Sequence, residues 1–309
     1  MKLLALPPLP LDLIEALFGD PRMELVAPAE RTQAAVDALL PEVDLVLSDW
    51  STQLRVTDPG TRVRMVQQPG AGVDSIDVAA CTARGVPVCN TAGANAVSVA
   101  EWCVSATFAL LRKTVIADAA VRAGEWPQTS LGGRELAGLK VGVVGMGAIG
   151  RRAAALYAAL GCQVSYWSRN QHADAPVPFE ELSSLVSSSD VVVLIIALSD
   201  QTRGLVDPRL MKAGSLLING ARGEVVDEAG LLEALHSGQV TAALDVFPVE
   251  PLPADSPLRS APGLVLSPHL AGSTREASTR IIEAASANLR RVLDGVPVID
   301  VVNDVPARP

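Results

Sequence analysis

The 309-residue chain reads as an α/β protein with two doubly wound parallel-sheet domains. Three observations carry that expectation. Short apolar runs alternate with helix-period segments over the first ninety or so residues. The alternation starts afresh near Leu139, and there the strand-like run Val141–Val144 passes straight into Gly145-x-Gly147-x-x-Gly150 and a helix. Parallel strands need a crossover of roughly a dozen residues, usually a helix, so alternating β and α segments of this size predict parallel sheets.

In order along the chain, residues 3–6, 23–27, 44–47, 64–66 and 87–89 are expected as strands, being short runs rich in Leu, Val, Met, Ala and Cys between polar or turn residues. Segments 11–18, 32–40 and 76–84 carry apolar residues at helical spacing. An almost unbroken helix is expected from Ala96 to Arg122, ending before Pro127 and Gly132-Gly133. A second series of strands follows near 140–144, 163–167, 190–196, 215–219, 241–246 and 263–266, with a helix from Arg151 to Leu160 after the glycines. Right-handed crossovers would wind these into one sheet. The tail from Ser273 to Leu293 is helical in pattern and is followed by Val296–Val302.

Composition narrows the functional classes. The chain is 49% hydrophobic and 19% charged, which fits a well-buried globular protein of about two domains. Its longest wholly apolar run, Val191 to Leu198, is too short to cross a bilayer. The N-terminus breaks at Pro7-Pro8 without a small-residue cleavage site and reads as a first strand. Cys81, Cys89, Cys103 and Cys162 sit among apolar neighbours with no CxxC pair, as expected of reduced thiols in a cytoplasmic protein. A net charge of −9 without a basic tract argues against a nucleic-acid partner. His172, His236 and His269 have no ligand spacing, so no metal site is expected.

The glycines have separate mechanical reasons. Gly145 makes the tight turn, Gly147 lets backbone approach a pyrophosphate, and Gly150 lets the helix pack close to the strand. The helix N-terminus then presents free N–H groups and its positive dipole end to phosphate.

Three further segments lie just past expected strands: Asn219-Gly-Ala-Arg222-Gly223, Asp245-Val-Phe-Pro-Val-Glu250-Pro251 and Leu266-Ser-Pro-His269-Leu-Ala-Gly272. Singly, each has an ordinary explanation: a surface arginine, a solvated loop glutamate, a structural histidine. Together they put Arg, Glu and His at three successive strand ends, where open α/β sheets bind ligands. A nicotinamide enzyme acting on a 2-oxo acid needs a cation for the carboxylate, a proton donor for the carbonyl oxygen and a group that keeps the donor charged. A carboxylate beside an imidazole favours its cationic form.

In order and spacing these segments resemble the D-isomer-specific 2-hydroxyacid dehydrogenase family, over nearly the whole chain. Gly70-Ala-Gly-Val-Asp-Ser-Ile-Asp77 and Asn95-Ala-Val-Ser-Val-Ala-Glu101 add to the resemblance. It implies a catalytic triad of Arg222, Glu250 and His269, and substrate-carboxylate binding by Arg222 with the backbone N–H groups of Ala71 and Gly72. Cofactor contacts are implied for Gly145, Gly147, Ala148, Ile149 and Gly150 at the turn, and for Gly220, Ala221, Asp245, His269 and Gly272 nearer the nicotinamide. It implies a Rossmann domain, residues 95–272, inserted in a flavodoxin-like substrate domain of residues 1–94 and 273–309, with cleft closure excluding water. Relatives are commonly homodimers, and the helical stretch from Ala96 is a candidate surface, although a core helix would look the same.

The cofactor is expected to be NADP(H) ahead of NAD(H). Where NAD users of the family carry Asp at the end of the second strand, this chain has Trp167, followed by Ser168 and Arg169, which offer donors to a 2′-phosphate. Ala148 stands where many relatives place an arginine, leaving open whether Arg151 compensates, and Leu194–Ser199 lacks the usual His and Pro. The expected activity is reduction of a small 2-oxo acid, of the glyoxylate or hydroxypyruvate kind, to the D-2-hydroxy acid. The nearest rival is a short 3-phosphoglycerate dehydrogenase without a regulatory domain. A dinucleotide-sensing, corepressor-like binding protein is the rival of another class.

Overall fold

The computed structural model describes residues 1–49, 51 and 53–306; residues 307–309, the end of the expected 273–309 segment, lie outside the described residues, as do 50 and 52. The chain divides into two compact units, Met1–Asn95 with Arg275–Pro309, and Ala96–Thr274.

The first unit contains β1 (Lys2–Ala5), α1 (Leu11–Phe18), β2 (Glu24–Val26), α2 (Gln33–Leu39), β3 (Leu45–Leu47), β4 (Met65–Gln67), α3 (Val78–Ala83) and β5 (Val88–Cys89). Its five strands are all parallel, in the order β2-β1-β3-β4-β5 of a flavodoxin-like sheet. The strands are apolar at consecutive positions because both faces are covered. Leu4, Val46 and Val66 pack with Val36 and Cys81 on one face. Leu3, Ala5, Leu45 and Met65 pack on the other with Ile14 and Phe18 of α1 and with Ala285, Leu289 and Val292 of the C-terminal helix. Two helix starts are capped by side chains: Thr32 accepts from the Ala35 N–H at 3.3 Å, and Asp77 from the Ala80 N–H at 2.9 Å.

The second unit runs α4 (Ala96–Leu111), α5 (Thr114–Arg122), β6 (Lys140–Val144), α6 (Ala148–Ala159), β7 (Gln163–Trp167), α7 (Leu182–Ser188), β8 (Val191–Leu194), β9 (Ser215–Asn219), α8 (Glu228–His236), β10 (Val240–Leu244) and β11 (Leu264–Leu266). Arg275–Leu293 is α9, the C-terminal helix of the first unit. The second sheet is parallel throughout, ordered β11-β10-β9-β8-β6-β7. The direction of winding reverses between β6 and β8, which is the switch point at which Rossmann-type sheets open a crevice.

Two expectations need correction. The helix expected across Ala96–Arg122 breaks after Leu111; Lys113 adopts left-handed backbone (φ 53°) and α5 starts at Thr114. The two halves also differ in kind. α4 buries Val99, Ala100, Cys103, Ala106 and Leu111 in the core, whereas α5 buries nothing and exposes Val115, Ile116 and Val121. Secondly, α6 opens at Ala148 and not at Arg151, so Gly150 is a helical residue. A Cβ on Gly150 would lie 2.0 Å from the Gly145 carbonyl oxygen, and this contact is why the position needs glycine.

Among the described residues no helix is long and apolar enough to cross a membrane, and no group of three or more His, Cys, Asp or Glu could hold a metal ion. Cys81, Cys89 and Cys103 are buried free thiols, and burial pushes each up to about 12, which leaves them un-ionised at neutral pH.

Candidate active site

Because every strand of the second sheet points the same way, the segments that follow them all leave from one edge. The expected site residues of this unit fall there: Gly145 to Gly150 after β6, Ser168 and Arg169 after β7, Gly220 to Arg222 after β9, Asp245 and Glu250 after β10, His269 and Gly272 after β11. Moreover β9, β10 and β11 are immediate neighbours, so the three chemistry-bearing segments are side by side.

At the glycine turn, Gly145 has φ 109° and a Cβ there would approach the Ile195 carbonyl oxygen to 2.4 Å; both facts require glycine. Gly147 is different. Its φ is −77°, and an added Cβ would meet nothing within 4 Å. Nothing inside the chain therefore demands glycine at 147, and the space above it is open. Gly147 is also the N-cap of α6 and supplies no side-chain cap, so the first N–H groups of Ala148, Ile149 and Gly150 are left to an outside acceptor. These residues fit the pyrophosphate of a dinucleotide.

The next loop is organised by Asn219, whose side chain accepts from the Ala221 N–H at 3.0 Å and donates to the Arg222 carbonyl at 3.0 Å. Arg222 is half-buried, and its guanidinium donates to the Ala221 carbonyl at 2.7 Å. Gly223 brings this loop against the next one: a Cβ there would be 2.1 Å from the Phe247 carbonyl carbon.

Glu250 and His269 meet directly, with Nδ1 and Oε2 2.6 Å apart. Glu250 also accepts from the Phe247 N–H at 2.9 Å. Burial alone would raise the Glu250 carboxyl. The hydrogen bonds from His269 and Phe247, with the charges of His269 and Arg222, outweigh it and hold the group below its ordinary value. It is therefore a carboxylate at neutral pH and can only accept, so His269 Nδ1 is the donor and Nε2 is left for other chemistry. Since the folded value is the lower one, any stability this carboxylate lends is present at neutral pH and is lost as pH falls through that value.

Asp245 is the buried centre of the histidine loop. Its carboxylate accepts from Ser267 Oγ at 2.6 Å and from the N–H groups of Leu270 and Ala271 at 2.9 and 2.8 Å, while its carbonyl accepts from the His269 N–H at 2.8 Å. These bonds hold His269 in left-handed backbone, φ 53°, a conformation uncommon for a residue other than glycine. The sequence reading assigned Asp245 to the cofactor. In the structure both of its oxygens serve the loop, and Ser267 and the Phe247 N–H, two supports the reading missed, have no sequence signal beyond lying next to the named residues.

At the end of β7, the Ser168 hydroxyl donates to the Asn170 carbonyl at 2.6 Å, so its one proton is committed within the turn. Arg169 is exposed and, among the described residues, makes no hydrogen bond or ion pair. Arg151 is engaged with Asp174. In the first unit, Ala71 and Gly72 follow β4; Asn90 anchors their loop by donating to the Ala71 carbonyl at 2.8 Å.

Comparisons with known proteins show which family the chain is similar to. Residues 104–271, all within the second unit, match the model of the D-isomer specific 2-hydroxyacid dehydrogenase, NAD binding domain. A D-3-phosphoglycerate dehydrogenase of Archaeoglobus fulgidus is 33% identical over 94% of this chain and 55% of its own length. Thus the chain spans about half the length of that relative. A (S)-sulfolactate dehydrogenase of Chromohalobacter salexigens is 40% identical over 75% of this chain and 78% of its own. A hydroxypyruvate reductase of Thermotoga maritima is 35% identical over 79% and 82%. Among solved structures, an NAD-dependent formate dehydrogenase of Staphylococcus aureus in complex with NAD superposes with a TM-score of 0.87 at 27% identity, covering 98% of this chain and 99% of that one.

Proposed function

The chain belongs to the D-isomer-specific 2-hydroxyacid dehydrogenase family, and from that premise we propose that it reduces a small 2-oxo acid to the D-2-hydroxy acid, with NADPH preferred over NADH. The observation that carries this reading is the 2.6 Å pair of Glu250 and His269, one strand away from Arg222.

Arg222 binds the substrate carboxylate through paired N–H donors and polarises the adjacent carbonyl. The nicotinamide, when bound, supplies the hydride that adds to C2. His269 gives its Nε2 proton to the carbonyl oxygen as the C–O double bond becomes a C–OH single bond. Glu250 holds the imidazole by Nδ1, fixes its orientation and stabilises the cation before transfer. The second unit is thereby the dinucleotide domain and the first the substrate domain.

Preference for NADPH is supported by Trp167 at the end of β7, in the position where NAD users of the family carry a carboxylate, and by the exposed Arg169. A charge-assisted bond to phosphate contributes about 1.5–3 kcal/mol, roughly 10- to 150-fold in affinity. The test is kcat/KM with NADPH and NADH across glyoxylate, hydroxypyruvate and other small 2-oxo acids. We expect turnover with glyoxylate or hydroxypyruvate and at least about tenfold better use of NADPH; a clear preference for NADH refutes the cofactor assignment. The phosphoglycerate dehydrogenase relatives support a second reading, oxidation of 3-phosphoglycerate, which the same assay run in reverse measures. No turnover with any of these acids would favour a dinucleotide sensor.

A homodimer is the assembly we propose, and the exposed apolar residues of α5 support it, Val115, Ile116 and Val121 being each about half exposed. Light scattering should give twice the 32.2 kDa chain mass, and Ile116→Glu should shift the population toward monomer; a monomer at all concentrations would end the proposal.

A further inference from the structure

The chain leaving β7 carries an ion pair that the proposed reaction does not use. Arg151, in the first turn of α6, donates through Nη1 to the Asp174 carbonyl at 3.0 Å and through Nη2 to the Asp174 carboxylate at 2.8 Å. Asp174 is the first carboxylate in the chain after Trp167. Its side chain is 79% exposed, so burial does not explain the pairing. The hydrogen bond from Arg151 is the main reason its carboxyl lies below the ordinary range, and it is ionised at neutral pH. The pair joins two elements that a dinucleotide would touch: the helix start that receives the pyrophosphate, and the segment after β7 that receives the ribose.

A cation in that position has an evident use. A 2′-phosphate brings nearly two negative charges beside the ribose, and a planar guanidinium is suited to it. Ser168 has already committed its proton to Asn170, which leaves Arg169 as the donor at the end of β7. Arg151 is the next guanidinium along, and its carboxylate partner is one that solvent could readily take over.

We propose that Asp174 is a specificity-determining residue for the cofactor: it is a resident counter-anion that competes with a 2′-phosphate for the Arg151 guanidinium. With Asp174 in place, Arg151 is neutralised and the carboxylate itself repels the phosphate, so discrimination in favour of NADP(H) is held below what the two arginines could give. NAD(H) carries only a neutral 2′-hydroxyl at that position and does not compete for the guanidinium as a phosphate does. This inference rests on the dinucleotide reading of the second unit, and not on which of the two cofactors the protein prefers.

Isothermal titration calorimetry with NADP+ and with NAD+ separates the outcomes, on the full chain and without any substrate. Asp174→Asn should tighten NADP+ binding about three- to tenfold and leave NAD+ unchanged, as expected for releasing an exposed charge pair to a phosphate. Most of that gain should vanish in the Asp174→Asn, Arg151→Ala double variant, and high salt should diminish it. An equal change for both cofactors, no change, or a full gain that persists without Arg151 would overturn the proposal. A wild-type protein that binds NAD+ more tightly defeats the NADPH preference alone, because the Asp174→Asn shift in the NADP+/NAD+ ratio is expected either way. If neither dinucleotide binds, both fail.

Discussion

Replacing His269 with asparagine should lower kcat for 2-oxo-acid reduction by about 10²- to 10⁴-fold while leaving dinucleotide affinity nearly unchanged, the range set by loss of a positioned general acid. Asparagine is the informative choice because residue 269 sits at φ 53°, and asparagine tolerates left-handed backbone better than most residues. The loop should therefore keep its four hydrogen bonds to Asp245, none of which involves the imidazole. Glu250 would lose its ring partner but keep the Phe247 N–H. What disappears is the imidazole that delivers the proton in the proposed reaction. Stopped-flow turnover alongside cofactor titration measures both quantities. A loss below about tenfold would mean that the proton reaches the alkoxide from elsewhere, and the role assigned to His269 would have to be withdrawn.

The second large effect should come from Gly147→Val. An added Cβ meets nothing within 4 Å, and the backbone there is extended, so the thermal unfolding midpoint should stay close to that of the wild type. NADP+ and NAD+ should nevertheless both lose about 100-fold or more in affinity, because the branched side chain occupies the space a pyrophosphate must enter. Gly145 could not serve as the test. At φ 109°, with the Ile195 carbonyl 2.4 Å from the would-be Cβ, a substitution there would mix lost binding with lost stability. Undiminished binding by a folded Gly147→Val protein would remove the dinucleotide from this turn.

Strand positions were legible because parallel strands covered on both faces leave a plain mark, a run of consecutive apolar residues. Observed strands differ from the expected ones by only a residue or two at most ends, as with β9 at Ser215–Asn219 and β6 at Lys140–Val144. The break at Lys113 left no such mark. A lysine in left-handed backbone carries no Gly, Asn or Pro to announce it, and the apolar spacing of α4 continues into α5 without interruption. Gly150 misled in the opposite sense: three glycines in six residues look like one long turn, but the third is inside a helix and is required by contact with Gly145. The site residues were legible as residue types following strands. Their supports were not, since the Asp245 carboxylate reaches Ser267, Leu270 and Ala271 more than twenty residues away, and only the pairing of β10 with β11 brings those residues near. Ser168 shows the same limit at short range: its hydroxyl was assigned to a ligand, but a carbonyl two residues on had already claimed it.

That arrangement around Asp245 has a consequence for exchanging parts between relatives. The peptide bearing the histidine is suspended from a side chain that belongs to a different strand. A chimera that imports residues 266–272 from another dehydrogenase keeps the host's Asp245 and holds the segment only if the incoming residue at 267 can donate to that carboxylate. The unit of inheritance here is discontinuous, and recombination libraries that place a crossover between the last two strands should misaim the histidine where the parents differ at 245 or 267.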